Sequence, residues 1–277
     1  MERRRTIWTL GWLGSAAGLL LVGHLGSREL LRRQAAIARR IIGDPFGEIA
    51  PDADKVYKKK LAGEPIELLL VGDSMAAGLG AERPKDTLGA RLAKGLAKRA
   101  QRPVRLRTIA RIGAESGMLA TQLDRLTPAD RPDLAVIVVG GNDVTHRIPI
   151  GESVTHLAEA IERLQARGAQ VVVGTCPDLG TLRPVPQPLR SLGSRKSRQL
   201  AAAQRRVALA HGARAVSLAR AVGPFFITNP DEMFSLDRFH PSSAGYRRTA
   251  KAMLPSLLAA LGLTERVPLG HHGPGPG

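Results

Sequence analysis

Aromatic residues are nearly missing: 3% of 277 positions, with two Trp, two Tyr and five Phe. That scarcity excludes a stacking platform for single-stranded nucleic acid. Cysteine is as sparse. Cys176 stands alone, which rules out an intrachain disulfide and a cysteine-based zinc site. Its place at the end of "VVVGTC" reads as a small buried residue rather than a reactive thiol. Acidic residues are also short, 24 against 41 Lys and Arg, for a formal net charge of +17. Such a balance points to an anionic partner. The arginines, however, run through the whole chain in an Ala/Gly/Leu-rich background and form no stripe. That spread speaks against specific nucleic-acid binding and leaves compositional bias and attraction to anionic lipid or polymer as readings. No internal repeat is present. Hydrophobic content of 43% supports a folded core.

Long apolar runs occur in two forms. The first is the amino terminus: after Arg3, Arg4 and Arg5, about 20 mostly apolar residues extend from Thr6 to Leu25. The length suits a membrane span, and no small-x-small cleavage site closes it, so residues 1–27 are expected to form an uncleaved anchor or signal. Arginines on both sides leave the charge rule for orientation undecided. The short basic start resembles a signal-anchor, so the domain is expected outside the cytoplasm, with secretion after signal cleavage or a cytoplasmic-facing domain as the alternatives. Residues 28–64 follow as a basic helix and linker. The helix, "RELLRRQAAIARRIIG", fits either a membrane-surface helix or a solvated stalk.

The second form is short and repeated. "IELLLVG", "VRLRTIA", "LAVIVVG", "AQVVVGT" and "ARAVSLA" read as strands. Helical patterns separate them at 87–101, 116–126, 151–168 and 194–211, and a last helix runs from Ser242 to Leu261. Near-continuous Val/Ile/Leu strands with helical crossovers predict a doubly wound, flavodoxin-like three-layer α/β/α sandwich over residues 65–263, with a five-stranded parallel sheet. The breaker-rich end, 264–277, is expected to be disordered, and His271 and His272 make a poor metal site. The arginine- and proline-rich stretch 177–198 reads as a lid, a polyanion contact or a plain surface connection.

In a doubly wound sheet, functional residues gather beyond the carboxyl ends of the strands. Here those ends carry "GDSMAAG", "IGAESG" and "GGND", and "DRFH" precedes the last helix. Each block alone has a plain explanation. Gly-Asp-Ser fits a strand-end turn, Gly-Gly-Asn-Asp a loop, and Asp237 a helix cap. Together they hold what acyl transfer needs. A serine hydroxyl requires a base, a histidine base is held by a carboxylate, and an oxyanion requires donors already in place. Backbone N–H groups of Ser74 and Gly113 and the Asn142 amide are candidate donors. Asp73 is expected to shape the serine turn by hydrogen bonding. Asp143 and His146 repeat the Asp-x-x-His spacing, so His146 is a second candidate for the base or a pocket wall, but an exposed histidine opening the helix after the third strand is the preferred reading. His24, His156 and His211 read as structural. The rival α/β-hydrolase elbow needs Gly-x-Ser-x-Gly, and Ala76 stands where its second glycine belongs.

In order and placement, these four blocks resemble the SGNH (GDSL-like) hydrolase family over roughly residues 66–260, with Met75 where the name-giving motif has leucine. The resemblance implies Ser74 as nucleophile, His240 as base, Asp237 as its orienter, and an oxyanion hole from Ser74, Gly113 and Asn142. It implies hydrolysis of small-molecule, lipid or glycan esters without a metal or cofactor. Short-chain or acetyl esters fit best, since no long apolar lid is visible. Acyl transfer to another alcohol, and an idle binding module for an anionic cell-surface polymer, are the alternatives. Oligomeric state is not readable.

Overall fold

The computed structural model describes residues 26–43, 45–47 and 49–274. The expected membrane segment therefore lies outside the described residues. Among those described, no helix is long and apolar enough to cross a membrane.

The sheet has seven strands in the order β1-β3-β2-β4-β5-β6-β7. These are β1 (Val56–Tyr57), β2 (Ile66–Gly72), β3 (Val104–Thr108), β4 (Leu134–Val138), β5 (Gln170–Gly174), β6 (Arg214–Val216) and β7 (His271–His272). The five strands β2 to β6 pair in parallel, as expected from their apolar runs. The other two correct the five-strand expectation. β1 lies antiparallel on β3 and β7 antiparallel on β6, inside stretches read as linker and disordered tail. Strands of two residues have no periodicity to read. Their physical role is to cover edges that would otherwise present unpaired backbone groups. His271 also meets Ser256 Oγ through Nδ1 at 2.7 Å, which fixes this end of the chain.

Along β2 the side chains alternate between two cores. Leu68 and Leu70 join one apolar cluster with α3 (Leu88–Ala100) and the long helix Ser243–Ala260. Leu69 and Val71 join the other, with α4 (Leu119–Leu123), α6 (Ile150–Gln165) and α7 (Leu189–Ala210). Burying one such leucine stabilises the fold by roughly 1.5–3 kcal/mol, and the two layers of them fix the three-layer architecture. In α3, Leu88, Leu92 and Leu96 recur every four residues, and the Thr87 hydroxyl caps the Ala90 N–H.

Helix α7 starts at Leu189, five residues before the sequence suggests. The added first turn includes Gly193; one glycine costs a helix only about 1 kcal/mol, and 22 residues of helix absorb that. The loop 177–198 is thus half helix. Residues 26–42 form helix α1. It is docked through buried Gln34, whose amide donates to the Gln187 carbonyl and accepts from the Leu189 N–H.

Candidate active site

The site stands where strand order reverses. β3 lies on one side of β2 and β4 on the other, which opens a crevice beyond their carboxyl ends. Gly72 pairs with Val138, and the ladder ends one step on with Asp73 N–H to the Val138 carbonyl, 2.9 Å. The next residues on each side are therefore neighbours: Ser74 after β2, Gly141 and Asn142 after β4. Gly72 is required here. Its φ is +132°, and a Cβ would fall 1.8 Å from the Val138 oxygen.

Ser74 opens a one-turn helix, α2 (Ser74–Ala77), capped by Asp73, whose Oδ1 accepts from the Met75 N–H at 2.9 Å. At this first helical position no preceding carbonyl is placed to accept the Ser74 N–H. The Ser74 hydroxyl lies 2.8 Å from His240 Nε2, and His240 Nδ1 lies 2.6 Å from Asp237 Oδ2. A carboxylate only accepts, so Nδ1 carries the proton. Nε2 of the neutral ring is then free to accept from Ser74. The other oxygen of Asp237 accepts from Ser235 Oγ (2.8 Å) and from the Phe239 and His240 N–H groups (both 2.9 Å). Burial works to raise the Asp237 pKa, but the His240 hydrogen bond and the two N–H groups outweigh it and hold it below the usual value. Asp237 is thus a fixed carboxylate.

Asp73 is the opposite case. Burial pushes its pKa up to about 6, against the Met75 N–H and the His240 charge. Burial likewise raises Cys176, whose thiol is inert.

Asn142 lines the same cleft as Ser74 and His240. Its amide nitrogen donates to the Ala114 carbonyl at 2.9 Å, which ties the loop after β3 to the loop after β4. Gly113 is the residue before Ala114. It is exposed at φ +75°, with nothing within 4 Å of a built Cβ, so backbone conformation and not space selects glycine. Ser74, Asp237 and His240 are therefore directly joined, Asn142 faces them, and Gly113 stands at the rim outside the cleft lining. His146 is not in that lining. It bonds Glu115 (Nδ1 to Oε1, 2.5 Å), and Asp143 accepts instead from the Ser116 N–H at 3.1 Å.

Two residues at this edge went unread in the sequence. Buried Gln122 of α4 accepts from the Gly72 N–H (2.9 Å) and donates to its carbonyl (2.8 Å). Gln204 of α7 accepts from the Cys176 N–H (2.7 Å) and donates to the Val139 carbonyl (2.9 Å). Each satisfies strand-end backbone where the ladder stops. The one holds the approach to Ser74, the other the approach to Asn142. Their only sequence signal is position: Gln122 is three residues after Leu119, on the helix face that points inward.

The cleft runs from Ser74 between apolar walls that include Leu179, Leu182, Val222, Phe226 and Phe239, and encloses about 70 Å³. Among the described residues no cluster of His, Cys, Asp or Glu is arranged to hold a metal ion.

A sequence model of the GDSL-like lipase/acylhydrolase family matches residues 70–248, which include all five candidate residues. The chain belongs to that family. The GDSL-like esterase Rv1075c of Mycobacterium tuberculosis is 38% identical over 286 residues, covering 98% of this chain and 88% of the relative. Among solved structures, TesA is 25% identical, with a TM-score of 0.56 over 70% of this chain and 99% of that one. An acetylxylan esterase from Geobacillus stearothermophilus shares the fold at 19% identity and a TM-score of 0.55, over 73% and 96% of the two chains.

Proposed function

We propose that this protein hydrolyses carboxylic esters, with short acyl groups preferred, through an acyl-enzyme on Ser74. The observation that carries the reading is the unbroken relay from Ser74 Oγ to His240 to Asp237 beside an apolar cleft. His240 Nε2 takes the Ser74 proton as Oγ attacks the acyl carbon, and Asp237 stabilises the imidazolium. The Ser74 and Gly113 N–H groups and the Asn142 amide receive the oxyanion, where one donor contributes about 3–4 kcal/mol to the barrier reduction. The alcohol leaves with the proton from His240. A water molecule, deprotonated by His240, then releases the acid and restores the serine. Family membership and the esterase relative support this reading, and the small apolar cleft supports a short acyl group.

The test is turnover of p-nitrophenyl esters of increasing acyl length by the wild type, Ser74→Ala and His240→Ala. Turnover that both substitutions abolish, falling as the acyl chain lengthens, is the expected outcome. Folded wild type inert on every ester would overturn it. A new ester formed from an added alcohol would make the reaction acyl transfer instead.

A further inference from the structure

A second, much larger concavity of about 1180 Å³ adjoins the cleft, and the two share Thr181 and Phe234 as walls. Their linings contrast. The cleft is walled by Leu, Val and Phe. The groove is lined by five arginines and by three carboxylates, Glu82, Asp231 and Glu232. Arg83 and Arg91 are tied to buried Asp86, at 2.7 and 2.6 Å. Arg183 donates to a backbone carbonyl, that of Ile227. Among the described residues, no carboxylate lies within ion-pair distance of Arg183, Arg238 or Arg247.

The groove borders the His240 loop through Ser235 and Arg238. The proton taken from Ser74 returns from His240 Nε2 to the alcohol oxygen as its bond to the acyl carbon breaks, so the alcohol lies on the His240 side. Arg238 also holds φ +55°, a conformation that costs a side-chain-bearing residue energy and that concentrates at functional sites. From these positions the geometry points to a substrate whose alcohol portion is large, polar and anionic: its phosphate or carboxylate is held in the groove by Arg183, Arg238 and Arg247 while its short acyl group enters the apolar cleft. Guanidinium forks match such oxyanions, and a neutral alkyl alcohol leaves them unused. This inference rests on the esterase reading above.

The experiment uses the full chain and pairs of esters with the same acyl group. One pair is 1-acetylglycerol 3-phosphate with 1-acetylglycerol, the other the acetyl ester of 3-hydroxypropionate with propyl acetate. The anionic member is expected to have a kcat/KM about tenfold or more above its neutral partner, carried by KM. That ratio should shrink between about 0.05 and 0.5 M NaCl. It should fall toward one in Arg183→Gln/Arg247→Gln and persist in part in the double Lys variant. A gain with both anions assigns the groove to small oxyanions in general, and a gain in the first pair alone assigns it to phosphate. A wild-type ratio near one, or a ratio the Gln variant leaves unchanged, overturns the proposal while neutral-ester turnover keeps the esterase reading intact. If no ester is turned over, that reading falls, and calorimetric titration with glycerol 3-phosphate against glycerol decides the groove by itself: equal heats overturn it.

Discussion

Two Asp-x-x-His pairs stand at one sheet edge, Asp237 with His240 and Asp143 with His146, and their fates differ. In the first, the loop turns back through Arg238, and the ring returns over its own aspartate at 2.6 Å, with the His240 side chain only 15% exposed. In the second, the residues lie on the short helix α5 (Gly141–His146). Asp143 turns inward and is 1% exposed, and both its oxygens accept from the Ser116 N–H. His146 turns outward to Glu115, with its side chain 55% exposed. Spacing sets what two side chains can reach. The donors already satisfying each one decide what they do. Asp237 has one oxygen saturated by three donors and the other left for the imidazole, whereas Asp143 spends both on the backbone.

The largest effect comes from treating the two histidines alike. His240→Ala should lower kcat about 10⁴-fold or more, the loss expected when a member of a serine relay is removed. His146→Ala should change it less than about fivefold, since His146 lies outside the cleft lining and its exposed contact with Glu115 contributes little. Steady-state kinetics on one p-nitrophenyl ester checks both. Comparable losses in the two variants would undo the assignment of the base.

The aspartates sharpen the contrast because one substitution should break different properties. Asp237→Asn keeps the shape but no longer fixes the tautomer, so kcat should fall about 10³- to 10⁴-fold. Asp143→Asn weakens the acceptor of a buried N–H and should cost about 1–3 kcal/mol of stability, with kcat nearly kept in the folded protein. Urea midpoints and kcat measured on both variants separate these outcomes. A kinetic collapse in Asp143→Asn at unchanged stability would place Asp143 in the chemistry.

How much of this was readable follows from where each signal resides. The five parallel strands and the serine, asparagine and histidine blocks announce themselves because a strand buried on both faces is a continuous apolar run, and a strand end is a sudden change of residue type. Edge strands β1 and β7 carry no such run. The first turn of α7 includes a glycine that the rest of the helix absorbs. Gln122 and Gln204 stayed silent because a buried amide in a helix has no periodic signature of its own. Its partners are backbone groups 50 and 65 residues away. The two Asp-x-x-His pairs are alike in spacing; the family resemblance singles out His240, and the backbone path and the donors around each aspartate supply the physical reason.

The smallest expected effect lies between the two carboxylates nearest the relay, whose environments push them in opposite directions. Asp237, held low, stabilises the fold at neutral pH, and that contribution is lost as pH falls through its folded-state pKa. Asp73, raised by burial from 3.8 to about 6, has the reverse sign. Between those values the folded protein holds a proton that the unfolded chain has released, so stability declines as pH rises from about 4 to 6. A shift of about 2, at about 1.4 kcal/mol each, makes that decline roughly 3 kcal/mol at most. Asp73→Asn removes the titration but keeps a side-chain oxygen for the Met75 N–H, so the cap on α2 survives. Urea unfolding at several pH values should therefore find the variant equal to wild type near pH 4 and more stable by about 1–3 kcal/mol near pH 7. All other titrating groups are common to the two proteins, so the difference curve isolates Asp73. Parallel curves would mean that the buried carboxylate stays ionised at pH 4 as well, with His240 and the Met75 N–H outweighing burial. Stability retained at pH 7 by a neutral residue here would mean that the ionised carboxylate beneath Ser74 is kept for the imidazolium it faces and not for the fold.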